Sequence, residues 1–166
     1  TAFLSTPWPP LQVLTAEQVA QFREQGFLVL PGWWDAATAA ALRARLDALV
    51  RDFQPAEVSV FTTNEATRVV DDYFLASGDK VRFFFEEEAF APDGSLRRPK
   101  EVCINKVGHN LHGLVPEFKG VSFDARVAGV CRDLGYRHPL VVQSMAIFKQ
   151  PGIGGEVRPH VDGAFL

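Results

Sequence analysis

The chain has 166 residues, of which 47% are hydrophobic and 22% charged, so it suits one folded domain and excludes wholesale disorder. The 17 Lys and Arg against 20 Asp and Glu give no electrostatic reason to expect nucleic acid or an anionic membrane as partner. No apolar run reaches the roughly 20 residues of a membrane helix.

The first third of the chain is predicted to be mainly helical. A capping box begins at Thr15 and a glycine stands at Gly26, so a helix is expected between them. Phe27–Leu30 then reads as a short buried strand. Asp35 is predicted to cap a second helix that runs to Phe53, because leucines recur there at helical spacing.

The remainder is predicted to be richer in strands. The expected strands are the apolar or β-branched runs at 58–61, 80–86, 101–107 and 140–149. A glycine turn is expected at Gly94, and a third helix over Ser122–Leu134. The last strand is apolar on both alternating faces, which predicts that it is covered on both sides. This order indicates an α+β fold with a mainly β core, or a barrel buttressed by helices.

Two features of the chain bear on its context. Cys103 and Cys131 are too few for a disulfide framework, which favours core thiols in a reducing compartment. We therefore expect an intracellular protein, in the cytoplasm or alternatively in the peroxisome. The sequence begins at Thr1 and ends at Leu166 inside a strand-like apolar run, where natural domains tend to finish in a polar tail. We therefore expect a fragment of a longer protein.

The sharpest chemical signal is the pair His160 and Asp162. On an extended chain, side chains two positions apart share a face, so an imidazole and a carboxylate here can hold one divalent metal. Two histidines and a carboxylate with open positions are typical of non-haem iron(II) oxygenases. An exposed surface pair has the same spacing, although Gly154 and Pro159 supply the turn residues that often precede a shaped site.

The other candidate residues give weaker signals. Lys106 lies on an apolar strand face, where a lysine either reaches the rim or neutralises a buried anion. His109 and His112 are three residues apart but lack an acidic or cysteine partner at ligand spacing, which favours a structural role. His138 precedes a proline in a loop, and Met145 is by default a gap filler.

Several segments in the same order resemble the phytanoyl-CoA dioxygenase domain-containing proteins. They are Gly26–Leu30, Asp72–Glu86, Ile104–His109, Val142–Met145, Phe148–Pro151 and Gly154–Asp162. The resemblance therefore spans nearly the whole chain. It implies an iron(II)- and 2-oxoglutarate-dependent dioxygenase on a double-stranded β-helix, a jelly-roll barrel of the cupin type, that hydroxylates a small organic or acyl substrate.

The resemblance also assigns residues. His160 and Asp162 match the first two iron ligands, and they match co-substrate contacts as well. Lys106 and Met145 match positions that line the 2-oxoglutarate pocket, which favours the buried interpretation of Lys106. Residues 1–55 would be a helical lead-in, and residues 56–166 the first part of the barrel in a single domain.

The chain departs from the family pattern at its end. The second histidine ligand and the arginine that binds the far carboxylate of 2-oxoglutarate follow the His160 motif in the family, and the sequence stops at Leu166. Three hypotheses stay open: the N-terminal part of a working dioxygenase, a truncated inactive fragment acting at most as a metal-binding or interaction module, and a cupin-like metal-binding protein without redox chemistry.

Overall fold

The structure is a computed structural model, and it describes residues 12–55, 59–61, 72–157 and 159–160. The helices within these ranges are α1 (Ala16–Gln25), α2 (Ala36–Asp52), α3 (Asp72–Leu75), α4 (Leu111–Leu114), α5 (Pro116–Ser122) and α6 (Ala125–Asp133). The strands are β1 (Val60–Phe61), β2 (Val81–Glu86), β3 (Ile104–His109) and β4 (Ser144–Ile147). Among these helices, none is long and apolar enough to span a membrane.

The two long helices begin where their capping residues predict. The Thr15 hydroxyl accepts from the Gln18 backbone N–H at 3.2 Å, and the Gln18 side chain accepts from the Thr15 N–H at 2.9 Å. Gly26 ends α1 with a φ of 80°, a left-handed conformation that favours glycine. The Asp35 carboxylate accepts from the Thr38 N–H at 2.7 Å and caps α2. Both helix predictions are confirmed.

The strands form one four-stranded sheet in the order β1-β2-β3-β4. β1 runs parallel to β2, and the other neighbours are antiparallel. The register shifts between Phe84, which faces Lys106, and Phe85, which faces Ile104, so Asn105 is an extra residue in β3. The helices and sheet confirm an α+β fold.

The core packs on one face of the sheet. Its buried members are Val50, Phe83, Phe85, Ala89, Cys103, Ile104, Val107, Leu111 and Val115. The Phe53 ring, at the end of α2, stacks on Phe83 with centroids 4.1 Å apart. All three phenylalanines of the run 83–85 are buried. Each phenylalanine buried in this way stabilises the fold by about 1.5–3 kcal/mol.

Two of the predicted strands are wrong in part. Phe27–Leu30 lies outside regular structure, with Phe27 and Val29 exposed, because it leads straight into a turn and pairs with no strand of the described chain. The run 101–107 begins as a 3₁₀ turn, Lys100–Val102, in which the Cys103 N–H donates to the Lys100 carbonyl at 3.0 Å. β3 therefore starts three residues later than predicted.

The last strand is shorter and more exposed than predicted. Only Ser144–Ile147 pairs with β3, and β4 is the edge of the described sheet. Leu140 is 84% and Val142 85% exposed, so the prediction of cover on both sides is wrong for this stretch. An apolar run alone does not distinguish a covered strand from an uncovered edge.

The third predicted helix is present as α6, but it starts three residues later than predicted. α5 ends at Ser122, and α6 begins at Ala125 because the Asp124 carboxylate accepts from the Arg126 N–H at 2.8 Å. At the other end of α6, Asp133 Oδ2 accepts from the backbone N–H groups of Val13 and Leu14 at 2.7 and 2.8 Å. These two hydrogen bonds hold the start of the described chain against the end of α6.

Candidate functional site

The predicted pocket residues share the sheet face opposite the core. Phe84 pairs with Lys106 across β2 and β3, and Gly108 pairs with Met145 across β3 and β4. Cross-strand partners share a face, and sequence neighbours alternate between faces. Because Val107 lies in the core, Phe84, Lys106 and Met145 lie on the other side, which we call the site face.

Lys106 is buried on the site face. Its side chain is 4% exposed, and Nζ lies 5.1 Å from the ring centroids of both Phe74 and Phe84. Phe74 belongs to α3, which packs over the face with the two rings 5.7 Å apart edge to face. The electron-rich ring faces attract the ammonium and hold water away from it. The rim interpretation of Lys106 is therefore wrong.

His109 packs against the same two aromatic rings as Lys106. Its ring centroid is 5.4 Å from those of Phe74 and Phe84, and Nδ1 is 2.7 Å from the Ser77 Oγ. Burial, and secondarily the charge of Lys106, lower the pKa of His109 from 6.5 to about 4. The imidazole is therefore neutral at neutral pH.

Met145 approaches the floor of the site face closely. A Cβ at Gly108 would lie 3.0 Å from the Met145 Cβ, tighter than ordinary packing. The absence of a side chain at Gly108 lets β3 and β4 approach at this point. Met145 itself is half-buried.

A buried carboxylate, that of Glu86, lies next to Gly154 in the segment that precedes His160. Glu86, the last residue of β2, is 1% exposed, and its Oε1 has no hydrogen-bond partner in the described part of the chain. A Cβ at Gly154 would lie 3.2 Å from this oxygen. Gly154 has a φ of 120°, a conformation that favours glycine, and a side chain there would crowd the Glu86 carboxylate.

The proposed metal ligands are only partly described. His160 is exposed, and Asp162 lies outside the described residues. Within the described ranges, no three His, Cys, Asp or Glu side chains are grouped to hold a metal ion. His112 is instead held by Ser144, whose Oγ lies 2.7 Å from Nδ1, and His138 is exposed.

Sequence reasoning missed the contribution of Ser77 and Glu86. Ser77 stands in a Ser-Gly-Asp turn, and its contact with His109 joins residues 32 positions apart, which no local spacing reveals. Glu86 follows three phenylalanines, and a charge at the end of an apolar strand usually marks its exposed end. The turn and strand were predictable, whereas the buried polar contacts depend on tertiary packing.

Comparison with known proteins identifies the family. The family model described as phytanoyl-CoA dioxygenase matches residues 22–166, so the chain belongs to that family. It is 45% identical over 153 residues to phytanoyl-CoA dioxygenase of Arabidopsis thaliana, covering 92% of this chain and 54% of the relative. It is 49% identical over 158 residues to phytanoyl-CoA dioxygenase 1 of Oryza sativa subsp. japonica, covering 95% and 56%.

An animal relative shows the same extent of match. Phytanoyl-CoA dioxygenase domain-containing protein 1 of Danio rerio is 43% identical over 162 residues, covering 94% of this chain and 56% of the relative. The chain thus spans about half the length of the curated relatives it matches. The resemblance seen in the sequence is confirmed at the level of the family.

Proposed function

We propose that this chain is part of an iron(II)- and 2-oxoglutarate-dependent dioxygenase that hydroxylates a small organic or acyl substrate. The names of its relatives support a dioxygenase. The observation that carries the proposal is the buried Lys106 ammonium on the site face, since a cation held away from water suits a carboxylate of an oxoacid.

The side chains on the site face have the charge and the surroundings that 2-oxoglutarate needs. The Lys106 ammonium has three N–H donors, and the rings of Phe74 and Phe84 keep the surrounding dielectric low. A dianionic oxoacid bound here would be strongly attracted to the ammonium. This attraction would offset the free-energy cost of burying the Lys106 charge. Met145 would line the same face and limit the width of the site.

The residues also suit iron in donor type. His160 would supply an imidazole nitrogen and Asp162 a carboxylate oxygen, which are ligands that iron(II) takes in such enzymes. The remaining protein ligand would come from outside the described residues. When bound, iron(II) would supply the oxidising chemistry with dioxygen as the oxidant: one oxygen atom would enter the oxoacid, which loses carbon dioxide and becomes succinate, and the other would enter the substrate as a hydroxyl group.

The proposed function also implies a layout for the domain. In this proposal, residues 1–55 would be the helical lead-in, and residues 56–166 would be the first part of a jelly-roll barrel in one domain. The site face would be its interior, which agrees with the aromatic and cationic side chains gathered there. The β4 edge of the described sheet would then be the side on which further strands of the barrel pair.

The experiment compares two lysine variants of the protein expressed from its complete reading frame. Lys106→Met keeps most of the side-chain volume but removes the charge, and Lys119→Met makes the same change at an exposed position. Anaerobic titration measures 2-oxoglutarate affinity in the presence of iron(II), and succinate is measured after oxygen is added. Lys106→Met should weaken 2-oxoglutarate binding by about tenfold or more, and Lys119→Met should leave it unchanged.

Two results would contradict the proposal. Equal 2-oxoglutarate affinity in the parent protein and Lys106→Met would remove Lys106 from the co-substrate site. A parent protein that binds iron(II) but forms no succinate would favour the alternative of an inactive metal-binding or interaction module.

A further inference from the structure

Arg82 lies on the site face, two positions before Phe84 on β2. Side chains two positions apart on a strand share a face, so Arg82 and Phe84 lie on the same side of the sheet. Arg82 pairs with Gly108 across β2 and β3, and Gly108 pairs with Met145 across β3 and β4. Gly108 puts no side chain between the two. A guanidinium therefore lies in the row of cross-strand partners next to the row that contains Lys106.

The Arg82 side chain is held in place by Tyr73 of α3. Its guanidinium carbon lies 4.2 Å from the centroid of the Tyr73 ring, and its Nη1 donates to the Tyr73 backbone carbonyl. The Tyr73 hydroxyl accepts from the Phe83 N–H at 3.3 Å, and its ring packs edge to face on Phe84 with centroids 5.5 Å apart. Tyr73 is thus fixed and in turn fixes the guanidinium. A cation that is ordered before binding loses little entropy when a ligand binds.

The other N–H groups of Arg82 are available to a ligand. A guanidinium has five N–H donors, and within the described residues those on Nε and Nη2 bind no protein group. No carboxylate of this part of the chain forms an ion pair with Arg82. The Asp79 carboxylate pairs instead with Lys80 at 2.8 Å. Arg82 is half-buried, so a ligand can reach it while water screens its charge only in part.

We infer that the Arg82 guanidinium binds a carboxylate of the primary substrate, which would make that substrate an organic acid. The inference rests on the proposed function, because it takes the second molecule on the site face to be the one that is hydroxylated. Arg82 and Lys106 are diagonal neighbours across β2 and β3, since Lys106 is two residues from Gly108, the partner of Arg82. The co-substrate and the substrate would therefore lie side by side.

The chemistry of the guanidinium favours a carboxylate over other ligands. Its planar fork of N–H groups matches the two oxygens of a carboxylate. It neutralises one negative charge, which suits a carboxylate better than a doubly charged phosphate ester. A neutral ligand would cover the half-buried cation without supplying a counter-charge. Lys106 suits this second acid less well, because it is 4% exposed whereas Arg82 is reached more easily.

The first test compares two probes that differ in charge, hexanoate and hexanamide. Protein from the complete reading frame is loaded anaerobically with iron(II) and saturating 2-oxoglutarate, and calorimetry gives the affinity for each probe. We expect the parent to bind hexanoate at least tenfold more tightly than hexanamide, and Arg82→Gln to lose this preference. Arg23→Gln makes the same change at an exposed position of α1 and should keep the preference. Equal affinities in the parent, or a preference that persists in Arg82→Gln, would overturn the inference.

The second test needs no variant, because Arg82→Gln also removes the contacts with Tyr73 and could unfold α3. Nitrogen-15 NMR of the labelled parent follows the Arg82 Nε resonance during the same titrations. We expect hexanoate to shift it and hexanamide to leave it in place. An Arg82 resonance that does not respond to saturating hexanoate would overturn the inference. Tighter binding of hexyl phosphate than of hexanoate, with a shift at Arg82, would overturn the assignment of the ligand as a carboxylate.

The affinity for 2-oxoglutarate separates this inference from the proposed function. Arg82→Gln should change that affinity less than twofold, whereas Lys106→Met should lower it about tenfold or more. A tenfold loss in Arg82→Gln would place Arg82 in the co-substrate site and overturn the inference alone. If Lys106→Met leaves the affinity unchanged while the preference for hexanoate still depends on Arg82, the proposed co-substrate site is wrong and the carboxylate site at Arg82 is upheld.

Discussion

Acidification should destabilise the protein through His109, and the structure sets the size of the effect. The pKa of His109 is lowered from 6.5 to about 4 by burial and by the charge of Lys106. Between these values the unfolded chain binds a proton that the folded chain does not, so the free energy of unfolding falls as the pH falls. The stabilisation that the neutral His109 contributes to the folded state is complete above pH 6.5, and it is lost as the pH falls to about 4.

The expected loss follows from proton linkage. Between about pH 7.5 and pH 5, the two proton affinities predict that His109 alone lowers the free energy of unfolding by about 2 kcal/mol. Urea unfolding at several pH values in this window measures it, and His109→Gln removes the group that titrates. His138→Gln is the matched control, because it removes an exposed histidine. The parent and His138→Gln should lose about 2 kcal/mol more than His109→Gln over the window.

One outcome of the unfolding experiments would contradict the burial of a neutral His109. If His109→Gln shows the same pH dependence as the parent, the imidazole is not buried in its neutral form. NMR titration of the imidazole gives an independent check, because His109 should remain unprotonated well below pH 6.5. A His109 midpoint near the ordinary value would refute the reasoning even if the unfolding data were ambiguous.

Three further substitutions test the local structure. Thr15→Ala should lower stability by about 1 kcal/mol in urea unfolding, and Thr15→Ser should preserve it, because serine keeps the capping hydroxyl. Gly108→Ala should cost about 1–3 kcal/mol, since its Cβ would lie 3.0 Å from that of Met145, whereas Gly78→Ala has open space and should be nearly neutral. Asp133→Ala should accelerate hydrogen exchange of the two backbone amides that its carboxylate holds, and unchanged exchange would show that this contact is not formed in solution.

Local signals predicted the helices well because capping is a short-range interaction. Thr15, Asp35 and Gly26 satisfy backbone groups within four residues of themselves, so their pattern is visible in the sequence. Strand predictions were weaker, since a strand needs a partner that lies far along the chain. Phe27–Leu30 has a suitable composition but pairs with no described strand, and Val142 precedes β4 without joining it.

The candidate site shows the same division. The family resemblance selected Lys106 and Met145, and the sheet register places both on the site face. No sequence rule would select Ser77, whose importance comes from a 2.7 Å contact with His109 across 32 residues. The tautomer of a histidine depends on such contacts and is set only in the folded chain.

The placement of Lys106 depends on one extra residue in β3. With strict alternation, Lys106 would share a face with Ile104, as the sequence predicts, and Ile104 lies in the apolar core. An ammonium there would lie among aliphatic and aromatic side chains at a large desolvation cost. The register shift makes Asn105 the unpaired residue, so Ile104 faces Phe85 in the core while Lys106 faces Phe84 on the other side. The bulge therefore allows one short strand to contribute both to the core and to the site face, and a period-two pattern cannot reveal it.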